Sequence, residues 1–331
     1  MSEAGIHLFI GFRGVSPDEE LNYLIREYRP GGIVLFKRNI TSRAQLKALV
    51  SAVQAFAVRE LKRPLFFAID QEGGSVQRLT PHFSPIPSAR SLAEKGEEAV
   101  AQWAAVCAAD LREIGIQINF APVLDIVPGG DEHFMGSRSF GSTPAKVSEL
   151  GAVWIEHLQA NGISATAKHF PGLGLARLDP HHFAPVIEDD NEDNFRSHLV
   201  PFQSAISAGV DCVMSSHAVY RAVDPIYPAT LSYEINHRWL RERMGFKGVL
   251  FADDLDMAAI SENYSPEESA FLGLSCSTDF FLLCQKSESI EPMHRALCDQ
   301  LQRNQSLQKF HSDTIQRLEN LRRFHFPDLC K

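Results

Sequence analysis

Three short segments concentrate the residues able to do chemistry. In Ala68-Ile69-Asp70-Gln71-Glu72-Gly73-Gly74-Ser75-Val76-Gln77-Arg78 an apolar run leads straight into a carboxylate, a glycine pair and an arginine. The glycines permit a sharp turn, the carboxylate can accept from hydroxyl groups such as those of a sugar, and the arginine can donate in a fork. An Asp70–Arg78 ion pair that only stiffens the loop is the plain structural reading. The second segment is Ala167-Lys168-His169-Phe170-Pro171-Gly172-Leu173-Gly174, followed by Leu178-Asp179-Pro180-His181-His182-Phe183. Asp179 and His181 are two apart, so in an extended chain they share a side and the carboxylate can orient the imidazole as an acid/base unit. The rival is metal binding by His181 and His182. Adjacent residues on an extended chain point oppositely, and the H-x-H that metal-dependent barrel hydrolases carry after the first strand is here Phe12-Arg13-Gly14. No metal and no cofactor is therefore expected. The third segment, Gly248-Val249-Leu250-Phe251-Ala252-Asp253-Asp254-Leu255-Asp256-Met257, makes Asp253 the first charge after a buried run. Such a carboxylate is a candidate nucleophile. Its alternative is a helix N-cap, a role open equally to Asp254 or Asp256.

Elements that could position these groups alternate along the chain. Short runs rich in Val, Ile and Phe predict strands at Gly5–Phe12, Gly32–Phe36, Leu65–Ile69, Ile116–Leu124, Ser164–His169, Asp211–Ser215, Gly248–Ala252 and Asp279–Leu283. Helix starts are marked by Ser16-Pro17-Asp18-Glu19, Ser42-Arg43-Ala44-Gln45, Ser91-Leu92-Ala93-Glu94, Thr143-Pro144 and Ser265-Pro266-Glu267-Glu268. Eight βα steps without a linker predict an α/β fold, a single (β/α)8 TIM-type barrel. It would form one catalytic domain over residues 1–331, with the barrel at about 5–285 and C-terminal helices at about 290–324. A doubly wound open sheet would want a glycine-rich phosphate turn after the first strand, and Gly11-Phe12-Arg13-Gly14 is a weak match. In a barrel the C-terminal strand ends converge on one mouth. Those ends carry Lys37, Asp70, Asp125, His169, His217 and Asp253, a set that packing alone does not require.

Composition excludes several other classes. The 331 residues are 44% hydrophobic and 22% charged, the profile of a folded globular chain. A formal charge of −9 argues against nucleic acid held by bulk electrostatics. No run reaches the ~20 apolar residues of a membrane helix, so no membrane partner is expected. Ile6–Phe12 lacks the flanks of a signal peptide. The 6 cysteines form no C-x-x-C pair, which suits a reducing cytoplasm.

Taken in order, the segments Asp70–Arg78, Lys168–His181 and Phe251–Met257 resemble those of glycoside hydrolase family 3. More narrowly they resemble its single-domain bacterial β-N-acetylhexosaminidases of peptidoglycan recycling. The likeness runs from about Gly5 to Cys284 and includes Gly31–Asn39, Gly136-Ser137-Arg138-Ser139-Phe140-Gly141 and Pro228-Ala229-Thr230-Leu231-Ser232. It implies that Asp253 attacks the anomeric carbon and that His181, assisted by Asp179, is the general acid/base. It further implies that Asp70, Arg78, Arg138, Lys168 and His169 hold N-acetylglucosamine at the end of a small muropeptide or disaccharide. Other readings are a different β-glycosidase of the family and a catalytically silent sugar-binding barrel. Departures from the family pattern are Leu173, Pro180, Ala252 and Ser275-Cys276. Pro180 restricts Asp179 toward extended backbone.

Overall fold

The computed structural model describes residues 3–128, 133–176 and 185–328. Its centre is a closed barrel of eight parallel strands: β1 (Leu8–Ile10), β2 (Gly32–Leu35), β3 (Phe66–Ile69), β4 (Ile118–Asn119), β5 (Ser164–Phe170), β6 (Cys212–Ser215), β7 (Val249–Asp254) and β8 (Phe280–Leu283). Each pairs with its successor and β8 closes on β1, Leu8 opposite Phe281. Among the described residues nine helices of ten residues or more wrap it: α1 (Glu19–Tyr28), α2 (Arg43–Leu61), α3 (Glu97–Ile114), α4 (Pro144–Ala160), α5 (Glu192–Ser207), the wide-turned α6 (Glu234–Arg243), α7 (Pro266–Ser275), α8 (Ile290–Arg303) and α9 (Leu307–His325).

Strand alternation divides the apolar side chains into two layers, because successive residues face opposite sides. Phe9, Phe66, Phe120, Phe251 and Phe280 fill the barrel, with Phe9 and Phe120 each 5.2 Å edge-on to Phe251. Leu8, Ile10, Phe67, Ile69 and Leu250 point outward into the helix-facing layer. Leu318 and Leu321 of α9 join the interior cluster and close the barrel floor. There the buried Asp279 accepts from Arg241, Arg317, Thr314 and the Leu250 amide, a fully bonded carboxylate at the end opposite the mouth.

All eight expected strands exist, and two are much shorter than expected. Glu3–His7 forms a 3-10 turn instead of the start of β1. His7 turns inward to bond the Asp279 carbonyl at 2.9 Å and His311 at 2.9 Å. Regular β4 ends at Asn119, and Pro122 has no N–H to continue the ladder. The chain nonetheless keeps bonding β5 through the Ala121 and Pro122 carbonyls. β7 runs two residues past the expected Ala252, so Asp253 sits inside the strand. Helix starts at Ser42, Thr143 and Ser265 are capped as expected. Two differ: Asp18, not Ser16, caps α1, and Ser88, not Ser91, caps a short helix at Ala89–Lys95. In both, the residue whose side chain accepts from the amide three positions on wins the cap.

Candidate active site

The mouth holds a cavity of about 480 Å³. It is lined by Asp70, Arg78, Arg138, Lys168, His169 and Asp253, which brings six of the sequence-predicted site residues into one space. Asp179 and His181, and with them His182, lie outside the described residues.

One wall is built on the ends of β3, β4 and β5. After β3 the chain makes a tight hairpin, Gln71–Gly73 against Val76–Gln77, with φ of 100° at Gly73 and 57° at Gly74. A Cβ on Gly73 would run into the Pro87 carbonyl and one on Gly74 into the Ser88 side chain, so both positions need glycine. Asn119 at the end of β4 brackets the Gln71 backbone, accepting from its amide and donating to its carbonyl, both at 3.0 Å. The Gln71 side-chain oxygen accepts from the Arg78 and Leu79 amides and folds the hairpin back. Arg78 consequently meets Asp70 at 3.1 Å.

Lys168 arrives from β5, 2% exposed, and its ammonium meets Asp70 at 2.8 Å and Glu72 at 2.6 Å. Glu72 is held on its other side by Arg138, at 2.8 Å through Nε and 2.7 Å through Nη2. The result is a chain Arg78–Asp70–Lys168–Glu72–Arg138 in which each carboxylate has two cations. Burial acts to raise the Asp70 carboxyl, but the charges of Lys168 and Arg78 outweigh it and hold the group below its ordinary range. Burial likewise opposes ionisation of Glu72, and Arg138 and Lys168 overcome it, holding its pKa down at about 2. For Lys168, burial favours the neutral amine, while Asp70 and Glu72 more than compensate and raise its pKa.

His169 adds a second buried pair, its Nδ1–H donating to Asp125 at 2.7 Å. Asp125, wholly buried, also accepts from the amides of His169 at 3.3 Å and Leu173 at 2.6 Å. Burial pushes its carboxyl up, and the His169 charge and these bonds bring it below the usual value. With Nδ1 so engaged, Nε2 of His169 is the ring atom left to present to a ligand in the cavity.

The opposite wall comes from β7 and β8. Their register shifts between Phe251 and Asp254, so β7 carries one extra residue. Such a bulge re-aims a side chain. Here Asp253 is half-buried in the cavity lining while Ala252 before it is fully buried. No cation pairs with Asp253 among the described residues; its Oδ1 accepts from the Asp254 amide at 2.8 Å. Asp254 and Asp256 also line the cavity, and their carboxylates are satisfied by backbone amides of Asp256, Cys284, Gln285 and Lys286. Burial, with help from the Asp256 charge, pushes the Asp254 carboxyl up to about 7. The N-cap alternative for this aspartate cluster is not realised, since the four-residue helix Ala258–Ser261 has Met257 at its cap position.

Sequence reasoning places Asp125 at the mouth without a role and does not single out Glu72, Asn119 or Gln71. Glu72 was detectable: two residues after Asp70 on extended chain, it had to face the same side. His217 stands apart from the cavity lining, bonding Thr230 at 2.8 Å and donating to the Asp254 carbonyl at 3.0 Å. Lys37, itself exposed on the 3-10 turn Lys37–Asn39, is also absent from the lining. Leu173 is buried against the cavity, its amide on Asp125. Among the described residues, no group of three or more His, Cys, Asp or Glu side chains is disposed to hold a metal ion, and no helix is long and apolar enough to cross a membrane.

Comparison with known proteins adds a second line of argument. Residues 8–321 match the family described as "Glycosyl hydrolase family 3 N terminal domain". A protein named "Beta-hexosaminidase" from Tolumonas auensis is 36% identical over 284 residues, 84% of this chain and 82% of that protein. The solved structure of a glycoside hydrolase family 3 beta-N-acetylglucosaminidase from Paenibacillus sp. str. FPU-7 superposes with a TM-score of 0.92 at 34% identity, covering 97% of this chain. The present chain spans only 62% of that longer one. The beta-N-acetylhexosaminidase of Beutenbergia cavernae DSM 12333 gives a TM-score of 0.87 at 28% identity, covering 95% of this chain and 96% of its own.

Proposed function

We propose a function from one premise: this chain belongs to glycosyl hydrolase family 3. It is a glycoside hydrolase of the β-N-acetylhexosaminidase type, and its reaction is cleavage of terminal β-linked N-acetylglucosamine with retention of configuration. The substrate class is the peptidoglycan fragment, a disaccharide of N-acetylglucosamine on 1,6-anhydro-N-acetylmuramic acid with or without peptide, met in the cytoplasm. The barrel and its two C-terminal helices act as one catalytic unit.

In this reading the β3–β5 wall receives the sugar. Its carboxylates and cations are already paired, so they can exchange hydrogen bonds with neutral hydroxyls without leaving an isolated buried charge. Asp253 attacks the anomeric carbon. The C1–O bond to the aglycone breaks as the aspartate C1–O bond forms, and His181 gives its proton to the departing oxygen. His181, now neutral, takes a proton from water, which displaces the aspartate and releases the free sugar; two inversions give retention. Asp179 orients the imidazole and stabilises its protonated form. The observation that carries this reading is the pairing, in one cavity, of an ion-paired polar wall with a half-buried aspartate to which no cation is bonded among the described residues.

The test is release of 4-nitrophenol from its β-N-acetylglucosaminide and its β-glucoside, in EDTA, by wild type, Asp253→Ala and His181→Ala. Turnover confined to the acetamido sugar, indifferent to chelation and lost in Asp253→Ala, is expected. His181→Ala should lose less with this substrate, because nitrophenol departs with little acid help, and more with a disaccharide, where general acid help is worth ~10²–10⁴-fold. Faster turnover of the glucoside would favour another β-glycosidase. Binding of N-acetylglucosamine without any turnover would leave a silent sugar-binding barrel.

A further inference from the structure

Asp254 is bonded in more directions than any cap or turn requires. Its Oδ1 accepts from the Cys284 amide at 3.1 Å, past the end of β8, and from the Asp256 amide at 3.2 Å. Its Oδ2 lies 3.4 Å from the Gln285 side-chain amide. Its main-chain carbonyl accepts from His217 Nε2 at 3.0 Å and from the Met257 amide at 3.0 Å. His217, 1% exposed, is itself held by Thr230 at 2.8 Å, in the segment beyond β6. One residue therefore ties the end of β7 to β8 on one side and to the β6 connection on the other. Its amide is the group that donates to Asp253 Oδ1.

The location matters because β7 is irregular there. Between Phe251 and Asp254 the ladder with β8 slips by one residue, so the regular pairing that would fix a side chain's direction is missing at Asp253. Past the slip, the Asp254 side-chain bonds and the Leu255 amide on the Leu282 carbonyl together hold β7 to β8. We propose that Asp254, backed by His217, is the positioning residue of this site: it sets the aim of the Asp253 carboxylate without itself meeting the substrate's reacting atoms. The inference rests on the reading of Asp253 as nucleophile. It goes beyond that reading in assigning a task to a neighbouring residue that its amide's bond to Asp253 and its carbonyl's bond to His217 single out from Asp256, which is likewise tied to the chain beyond β8.

Groups facing Asp254 are Asp253 and Asp256 on its own segment, Cys284 and Gln285 beyond β8, His217 beyond β6, and more distantly the Arg38 guanidinium, which itself bonds the Gln285 side chain and the Cys284 carbonyl. Asparagine at 254 keeps an oxygen for the two amides and discards the charge, whereas alanine discards the clamp. The two changes consequently separate geometry from electrostatics.

The experiment measures kcat and KM on 4-nitrophenyl β-N-acetylglucosaminide for wild type, Asp253→Ala, Asp254→Ala, Asp254→Asn and His217→Leu, each checked by thermal melting. A positioning role predicts that Asp254→Ala lowers kcat on the order of 10²-fold, the cost of a misaimed reacting group, with KM within about threefold of wild type. Asp254→Asn should restore kcat to within about fivefold and flatten the pH profile of kcat near neutrality, where the native carboxyl changes charge. His217→Leu removes the bond to the Asp254 carbonyl, along with that to Thr230, while leaving the Asp254 carboxylate in place, and should give a smaller selective fall, about tenfold. It keeps the test decisive if Asp254→Ala fails to fold. Wild-type kcat in folded Asp254→Ala or in His217→Leu, or equal losses in kcat and KM, would overturn the proposal. Full activity in Asp253→Ala would instead overturn the assignment of the nucleophile, an outcome distinct from inactive Asp253→Ala beside active Asp254→Ala.

Discussion

The two walls of the cavity handle negative charge in opposite ways. On the β3–β5 side, Asp70 and Glu72 share Lys168 and each has an arginine of its own, and Asp125 has His169. On the β7–β8 side, Asp253, Asp254 and Asp256 crowd within four residues, bonded by backbone amides and the Gln285 side-chain amide, with no cation bonded to any of them among the described residues. A buried carboxylate in the first setting is held ionised, and one in the second is driven toward protonation. The contrast separates two tasks. A neutralised, rigid wall can recognise a neutral polyol without large reorganisation, and a carboxylate with no cation bonded to it among the described residues leaves an oxygen open to an electron-poor carbon.

The comparison breaks most sharply at Asp253. Asp253→Ala removes the group that only the β7–β8 wall supplies, and kcat should fall on the order of 10⁴-fold or more. Binding of N-acetylglucosamine should change little, since the residues proposed to hold it stand on the other wall. Sodium azide should partly restore cleavage with inverted configuration, because a small anion fits where the carboxylate was. Proton NMR of the anomeric signal distinguishes inverted from retained product. Loss of sugar binding in step with activity would mean that the walls do not divide the work as described.

The next largest effect belongs to the paired wall. Lys168→Met removes the cation shared by two buried carboxylates, and breaking a buried pair costs about 3–5 kcal/mol. Arg78 and Arg138 remain, which places the expected loss at the lower end, about 3 kcal/mol at pH 7 by urea unfolding. Asp70 and Glu72 have folded pKa values below their unfolded ones, so the stability they contribute is present above the unfolded value near 4 and is lost as pH falls through the folded values, about 2 for Glu72. The gap between Lys168→Met and wild type should therefore narrow as pH drops below about 4. Adding Glu72→Gln to Lys168→Met should win back part of the loss, since it removes a carboxylate left with one cation.

These walls were unequally legible in the sequence. The barrel was visible because buried parallel strands are continuous apolar runs, and of the residues at their ends Asp70, His169 and Asp253 line the cavity while Lys37, Asp125 and His217 do not. Lys168, inside β5, was given a role only by the family resemblance. Pairings between strands could not: Asp125 and His169 are 44 positions apart, and Arg138 meets Glu72 across 66, separations on which local pattern is silent. Glu72 was overlooked although alternation placed it beside Asp70. The bulge in β7 had no sequence mark, since the Asp254 bonds that accompany it reach residues beyond two other strands, far away in sequence. Ser16 and Ser91 were misread as caps because a serine followed by a carboxylate is common, and only the backbone decides which acceptor meets the third amide.

The smallest expected effect reverses the pH slope of the paired wall. Asp254 has a folded pKa pushed up to about 7, above the 3.8 of the free side chain, by burial and then by the charge of Asp256. A group raised on folding contributes stability that is fully present below its unfolded pKa and is lost as pH rises through the folded one. Between about pH 4 and 7 this residue thus makes the protein less stable with each unit of pH, while Asp70 and Glu72 have already given all they can. Asp254→Asn cannot ionise, so it should be more stable than wild type at pH 8, by about 1–3 kcal/mol, with the advantage shrinking toward pH 5. Urea melts of both proteins at pH 5, 6, 7 and 8 measure this. A constant difference across the series would show that water or structural relaxation already shields Asp254 from its neighbours, and the two walls would then differ in geometry alone.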